Sequence, residues 1–88
     1  MIRRRVTVHG LVQGVFFRDT VRRRAQSAHV AGWIRNSWDG TVEVVFEGTP
    51  DAVERLVDFC RKGPRGAQVE HVDVAVEEPE GLAGFEIR

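Results

Sequence analysis

One stretch of this 88-residue chain has the residue types for holding an oxyanion: His9-Gly10-Leu11-Val12-Gln13-Gly14-Val15-Phe16-Phe17-Arg18-Asp19. Gly10 and Gly14 bracket Leu11-Val12-Gln13 and can take positive φ, which lets successive backbone N–H groups converge on one point. The apolar spacing after Phe17 is helical, so Arg18 falls in a first helical turn. A cation is misplaced there unless something negative lies nearby. Asp19 is one candidate partner; a bound phosphate is another, because it would satisfy both the free N–H groups and the guanidinium fork. Asn36, just before a turn, is the other residue of interest. Taken singly, each has an ordinary reading: turn glycines, an ion-paired arginine and a turn-forming asparagine.

The elements that must position these residues follow from periodicity. Ile2, Arg4, Val6 and Val8 alternate with Arg3, Arg5, Thr7 and His9, a first strand, and Phe17, Val21, Ala25 and Ala28 define a helix from about 17 to 28. Gly32-Trp33-Ile34-Arg35-Asn36 predicts a second strand. Ser37-Trp38-Asp39-Gly40 turns the chain into a third, with Val42, Val44 and Phe46 opposite Glu43, Val45 and Glu47. Thr49-Pro50-Asp51 opens a second helix, with Thr49 expected to cap through its hydroxyl. Val53, Leu56, Val57 and Cys60 line one side of it, and Asp51–Arg55 and Asp58–Lys62 are spaced as ion pairs. Gly63-Pro64 ends it. Val72, Val74 and Val76 alternate in a fourth strand with Val69 out of phase, which predicts a bulge near Glu70. Phe85 and Ile87 form a short last strand. The order is the α+β, ferredoxin-like βαββαβ sandwich, a mostly antiparallel sheet with two helices on one face. In that plan strand three separates strands one and two, so Arg18 and Asn36 share a sheet edge about 10 Å apart.

Composition narrows the function. Lys+Arg and Asp+Glu number 13 each, so there is no general attraction to nucleic acid or anionic lipid, and anion binding must be local. No apolar run reaches membrane-spanning length, and MIRRRVTV lacks the core of a signal peptide, so the expected location is the cytoplasm. Residues 1–88 are expected to form one domain and a monomer. Cys60, the one cysteine, cannot form an internal disulfide, and its place on an apolar stripe predicts a buried thiol. His9, His29 and His71 have no ligand spacing, so no metal site is expected. Arg3 and Arg5 are expected as solvated charges on the sheet. Arg22-Arg23-Arg24 spreads around a helix instead of forming a stripe.

The stretch from His9 to Arg18, with Gly32-Trp33-Ile34-Arg35-Asn36 and Asp39-Gly40-Thr41-Val42-Glu43, resembles the two motifs of the acylphosphatase family, and the likeness extends over essentially the whole chain. The resemblance implies a small enzyme that hydrolyses the carboxyl–phosphate bond of acyl phosphates without metal or cofactor. It implies Arg18 as the phosphate-binding arginine, Asn36 as the residue orienting water, and a backbone cradle through Gln13, Gly14, Val15, Phe16, Phe17 and Arg18. Ile34, where valine is common, and Trp38, at a usually more polar position, are small departures.

Three alternatives belong beside this. A non-catalytic module binding a phosphorylated ligand would keep the loop without needing Asn36. An RNA-recognition domain shares the strand and helix order, but it needs aromatics on the third strand, where Thr41–Glu47 offers one aromatic and two acids. Acylphosphatase-like domains also stand at the front of larger carbamoyl-transfer maturation proteins; a free-standing enzyme is the expectation here.

Overall fold

A computed structural model describes all residues, 1–88. The elements are β1 (Ile2–Leu11), α1 (Phe17–Ser27), β2 (Ala31–Asn36), β3 (Val42–Gly48), α2 (Pro50–Lys62), β4 (Gln68–Glu77) and β5 (Phe85–Ile87). The sheet order is β4-β1-β3-β2-β5, antiparallel except for the β2–β5 pair. β3 therefore lies between β1 and β2, as expected. β5 extends the sheet beside β2, with Ile34 opposite Ile87.

Alternation in the strands separates two unlike faces. Val6 and Val8 of β1, Ile34 of β2 and Val42, Val44 and Phe46 of β3 meet Phe17, Val21 and Ala25 of α1 and Val53, Leu56, Val57 and Cys60 of α2 in one apolar core. The other face carries charge in an ordered lattice. Arg3 is 3% exposed; it pairs with Glu47 at 2.7 Å and Glu77 at 2.8 Å. Arg5 joins Glu77 to Glu43, both at 2.7 Å, and Arg35 closes on Glu43. This corrects the expectation of solvated charges: the register places Arg3 opposite both Glu47 and Glu77. Cross-strand partners replace the lost water. Glu47 also accepts from the backbone N–H groups of Glu80, Gly81 and Leu82. Burial alone would raise its pKa; those N–H groups and Arg3 outweigh burial and hold it at about 2. Trp33, 8% exposed, lies under the guanidinium groups of Arg88, Arg5 and Arg35 at 4.8, 5.4 and 5.9 Å.

Local expectations were met unevenly. The register between β1 and β4 shifts after His9, where Gly10 faces Val69 and Glu70 is passed over, so the bulge stands where the phase of Val69 put it. Gly10, however, belongs to β1 and not to the turn. A Cβ there would come within 2.1 Å of the Gln68 carbonyl oxygen, so its role is close strand approach beside the bulge. Thr49 precedes α2, but its hydroxyl makes no capping bond. Neither expected i,i+4 pair forms; Asp58 instead approaches Arg61 at 3.8 Å. Exposed pairs gain too little in water to fix two long side chains. The first helix ends at Ser27, with Ala28 as its cap.

Candidate active site

The chain leaves β1 at Leu11 and enters α1 at Phe17 through five residues of irregular backbone. Gly14 (φ 75°) and Phe16 (φ 59°) are left-handed, and Val15 between them is not. That alternation turns successive N–H groups toward one side. Phe16 is strained, because a bulky side chain rarely takes this conformation. It is also 82% exposed, so burial of its ring does not compensate. The N–H groups of Gly14 to Asp19 donate to no carbonyl or side chain; the nearest backbone bond is accepted by the Phe16 carbonyl from Thr20. A row of free donors at a helix N-terminus is an anion-binding arrangement.

Arg18 and Asn36 meet as the strand order requires. They line one cavity of about 310 Å³ with Val12, Gly14, Phe16, Phe17, Asp19 and Ile87. Asp19 is not the partner of Arg18: its two carboxylate oxygens are taken by Arg22 and Arg23 from the next turn of α1. Arg18 forms no ion pair and no side-chain hydrogen bond, so its charge is uncompensated by protein. Asn36 Oδ1 is buried without a donor, although buried carbonyl oxygens are nearly always bonded. The cavity wall therefore includes a guanidinium and backbone N–H groups without protein partners, together with a residue, Asn36, whose carboxamide oxygen is buried and unpaired.

Other residues of the stretch lie around the cavity without lining it. Gln13 donates from its side chain to the carbonyl oxygens of Ser37 (2.7 Å) and Thr41 (2.9 Å), tying the loop to the β2–β3 hairpin. Asp39 fixes that hairpin by accepting from the Thr41 N–H and hydroxyl. Val15 packs against the core, and Trp38 stands at the hairpin tip, 99% exposed and away from the cavity. Ile87 is a wall residue that sequence reasoning missed: alternation showed the strand, but not that it would pair with β2 beside Asn36. Three larger grooves, of about 680, 710 and 510 Å³, run along the helices, past Gly63–Ala67 and over the charged sheet face beside Trp33, the last also reaching Asn36. Size does not select the site here; convergent polar groups do. Cys60 is buried in the core, and burial pushes its thiol up to about 12, too high for a nucleophile.

The histidines also depart from expectation. His9 and His71 are 62 residues apart, yet they are direct cross-strand partners with ring centroids 5.2 Å apart. Asp73 bonds to both. Spacing along one segment cannot reveal donors that sheet register brings together.

Comparison with known proteins gives a consistent result. The Acylphosphatase family model matches residues 4–87. A curated acylphosphatase of Gloeobacter violaceus is 57% identical over 86 residues, which cover 98% of this chain and 92% of that one. The crystal structure of acylphosphatase from Bacillus subtilis superimposes with a TM-score of 0.95 at 35% identity, covering 100% of this chain and 99% of that chain. Full-length HypF, solved in a phosphate- and nucleotide-bound form, contains a similar unit: TM-score 0.91 at 25% identity, over 99% of this chain and 12% of that one.

Proposed function

The chain belongs to the acylphosphatase family, and on that premise we propose that it hydrolyses small acyl phosphates by direct attack of an Asn36-oriented water on phosphorus. The observation that carries this reading is that one cavity is lined both by an arginine without a counter-ion and by Asn36, whose buried carboxamide oxygen has no protein donor.

Each part answers a need of the chemistry. The leaving group is a carboxylate, the conjugate base of an acid with pKa roughly 4, so it departs without a strong general acid. The transition state spreads charge over the equatorial phosphoryl oxygens, and stabilising it is a matter of fixed positive field and position. Arg18 supplies a fork for two of those oxygens, and the backbone from Gln13 to Arg18, with Gly14, Val15, Phe16 and Phe17, cradles the phosphate. Asn36 Oδ1 accepts a hydrogen bond from the attacking water and holds it in line. The new oxygen–phosphorus bond forms as the phosphorus–acyl oxygen bond breaks, the electron pair leaves with the carboxylate, and the water proton passes to a phosphate oxygen. Asp19, engaged by Arg22 and Arg23, is not needed as a base.

The alternatives fit less well. A module that only binds a phosphorylated ligand has no use for a donor-free Asn36 oxygen. An RNA-recognition surface of this fold needs exposed aromatics on the open sheet face, and there Trp33 lies beneath three guanidinium groups. We read residues 1–88 as one catalytic domain working as a cytoplasmic monomer. No helix is long and apolar enough to cross a membrane.

Hydrolysis of benzoyl phosphate in ¹⁸O-water with chelator present tests the mechanism. Attack at phosphorus puts the label in phosphate. Label in benzoate, or a phosphorylated side chain trapped during turnover, would overturn it.

A further inference from the structure

On the sheet face away from the helices, at the β1–β4 edge, three side chains converge that the phosphate site does not use. Asp73 sits between two imidazoles: its Oδ1 is 2.7 Å from His71 Nε2 and its Oδ2 is 3.0 Å from His9 Nε2. One ligating atom from each of the three lies within 4.8 Å of the others. His9 is half-buried, and His71 and Asp73 are exposed, so the group is open to solvent ions.

We propose that His9, His71 and Asp73 form a binding site for a divalent transition-metal ion, with zinc the best match. Two imidazole nitrogens and a carboxylate oxygen are a donor set that zinc takes, with a fourth tetrahedral position left to water. Imidazole nitrogen selects against magnesium and calcium, which require oxygen. An ion with bonds of roughly 2.0–2.2 Å would replace these two hydrogen bonds, which reach different Asp73 oxygens at 2.7 and 3.0 Å. Small rotations of solvent-accessible side chains complete the geometry, while the backbone is held by the β1–β4 ladder on both sides of the bulge. Asp39 lies within electrostatic reach of His9, and Arg61 and Glu70 flank His71. Competing soft ligands are few. Cys60 is sealed in the core, and His29 stands alone after α1. A bound ion would clip the edge strand β4 to β1, so its binding energy would appear as stability.

The site is independent of the hydrolysis proposed above, and its test does not use activity. Untagged, metal-stripped chain is titrated with Zn²⁺ or Ni²⁺ alone near neutral pH. Saturable one-to-one binding is expected, with imidazole nitrogen NMR shifts at His9 and His71 but not His29, and a rise in Tm. His9→Gln and His71→Gln should each weaken binding about tenfold or more, and His29→Gln should leave it unchanged. No saturable binding of either ion, shifts that spare His9 and His71 in the unaltered chain, or undiminished binding by His9→Gln would overturn the proposal.

Discussion

Arg18 and Asp19 are adjacent in sequence but differ in electrostatic state, and that difference can be tested directly. Asp19 is held by Arg22 and Arg23, so Asp19→Asn should cost stability by about 1 kcal/mol or less, because exposed pairs contribute little. It should leave phosphate bound as tightly as before or more tightly, since a negative charge leaves the cavity wall. Phosphate titration of the two proteins checks this. If Arg18 depended on Asp19 for its position, binding would fall instead. Cys60 gives a second check at this scale. A thiol pushed up to about 12 inside the core should react with an aromatic disulfide reagent only as fast as the protein unfolds. That Arg18 and Asn36 line one cavity was legible, because the strand and helix order puts them on one edge. The pairing of Asp19 was not, because i+3 and i+4 partners compete with the neighbouring residue and only geometry decides between them.

At the scale of elements, all seven were readable from periodicity and turn chemistry, and the bulge near Glu70 was readable from a single valine out of phase. What the sequence could not show was which backbones come close. Gly32 of β2 has φ 144°, and a Cβ there would meet the Val45 carbonyl oxygen at 1.8 Å. Gly32→Ala must therefore push β2 from β3, the strand that sets the spacing between Arg18 and Asn36. The expected cost is several kcal/mol, with activity falling with the folded fraction, as chemical denaturation would measure. Gly14→Ala meets no atom within 4 Å and suffers only from its φ of 75°. It should cost about 1 kcal/mol in stability and more, proportionately, in phosphate binding. The capping hydroxyl of Thr49 and the two expected ion pairs of α2 failed for a common reason: each is a weak, exposed interaction for which water is an adequate substitute.

For the whole molecule, the charged face was the largest departure from expectation. Alternation placed Arg3, Arg5, Glu43 and Glu47 on one side, but β4 supplies Glu77 and the 80–82 turn supplies three N–H groups, and neither is visible before the sheet is assembled. The consequence is a pH dependence. A carboxylate whose folded pKa is depressed adds stability above its unfolded pKa and loses it as pH falls through the folded value. For Glu47 the ordinary value is 4.5 and the folded value about 2, so its contribution is complete above about pH 4.5 and disappears toward pH 2. Glu43 and Glu77 are lowered in the same sense by their arginines, although burial of Glu43 opposes this. Stability should thus fall between pH 4.5 and 2, and Glu47→Gln should flatten that fall while lowering stability near pH 7. Denaturation curves across this range decide the point; an unchanged acid limb in Glu47→Gln would contradict it.

In the proposed mechanism Asn36 acts on water and Arg18 on phosphate. This division of roles is tested most directly by measuring phosphate affinity and kcat on an aroyl phosphate, with chelator present, for the unaltered chain and Asn36→Ala. Asn36→Ala should bind phosphate within a factor of a few of the unaltered chain and lose on the order of 10² or more in kcat. Full turnover by Asn36→Ala, or a loss of phosphate binding that accounts for the loss of rate, would contradict it.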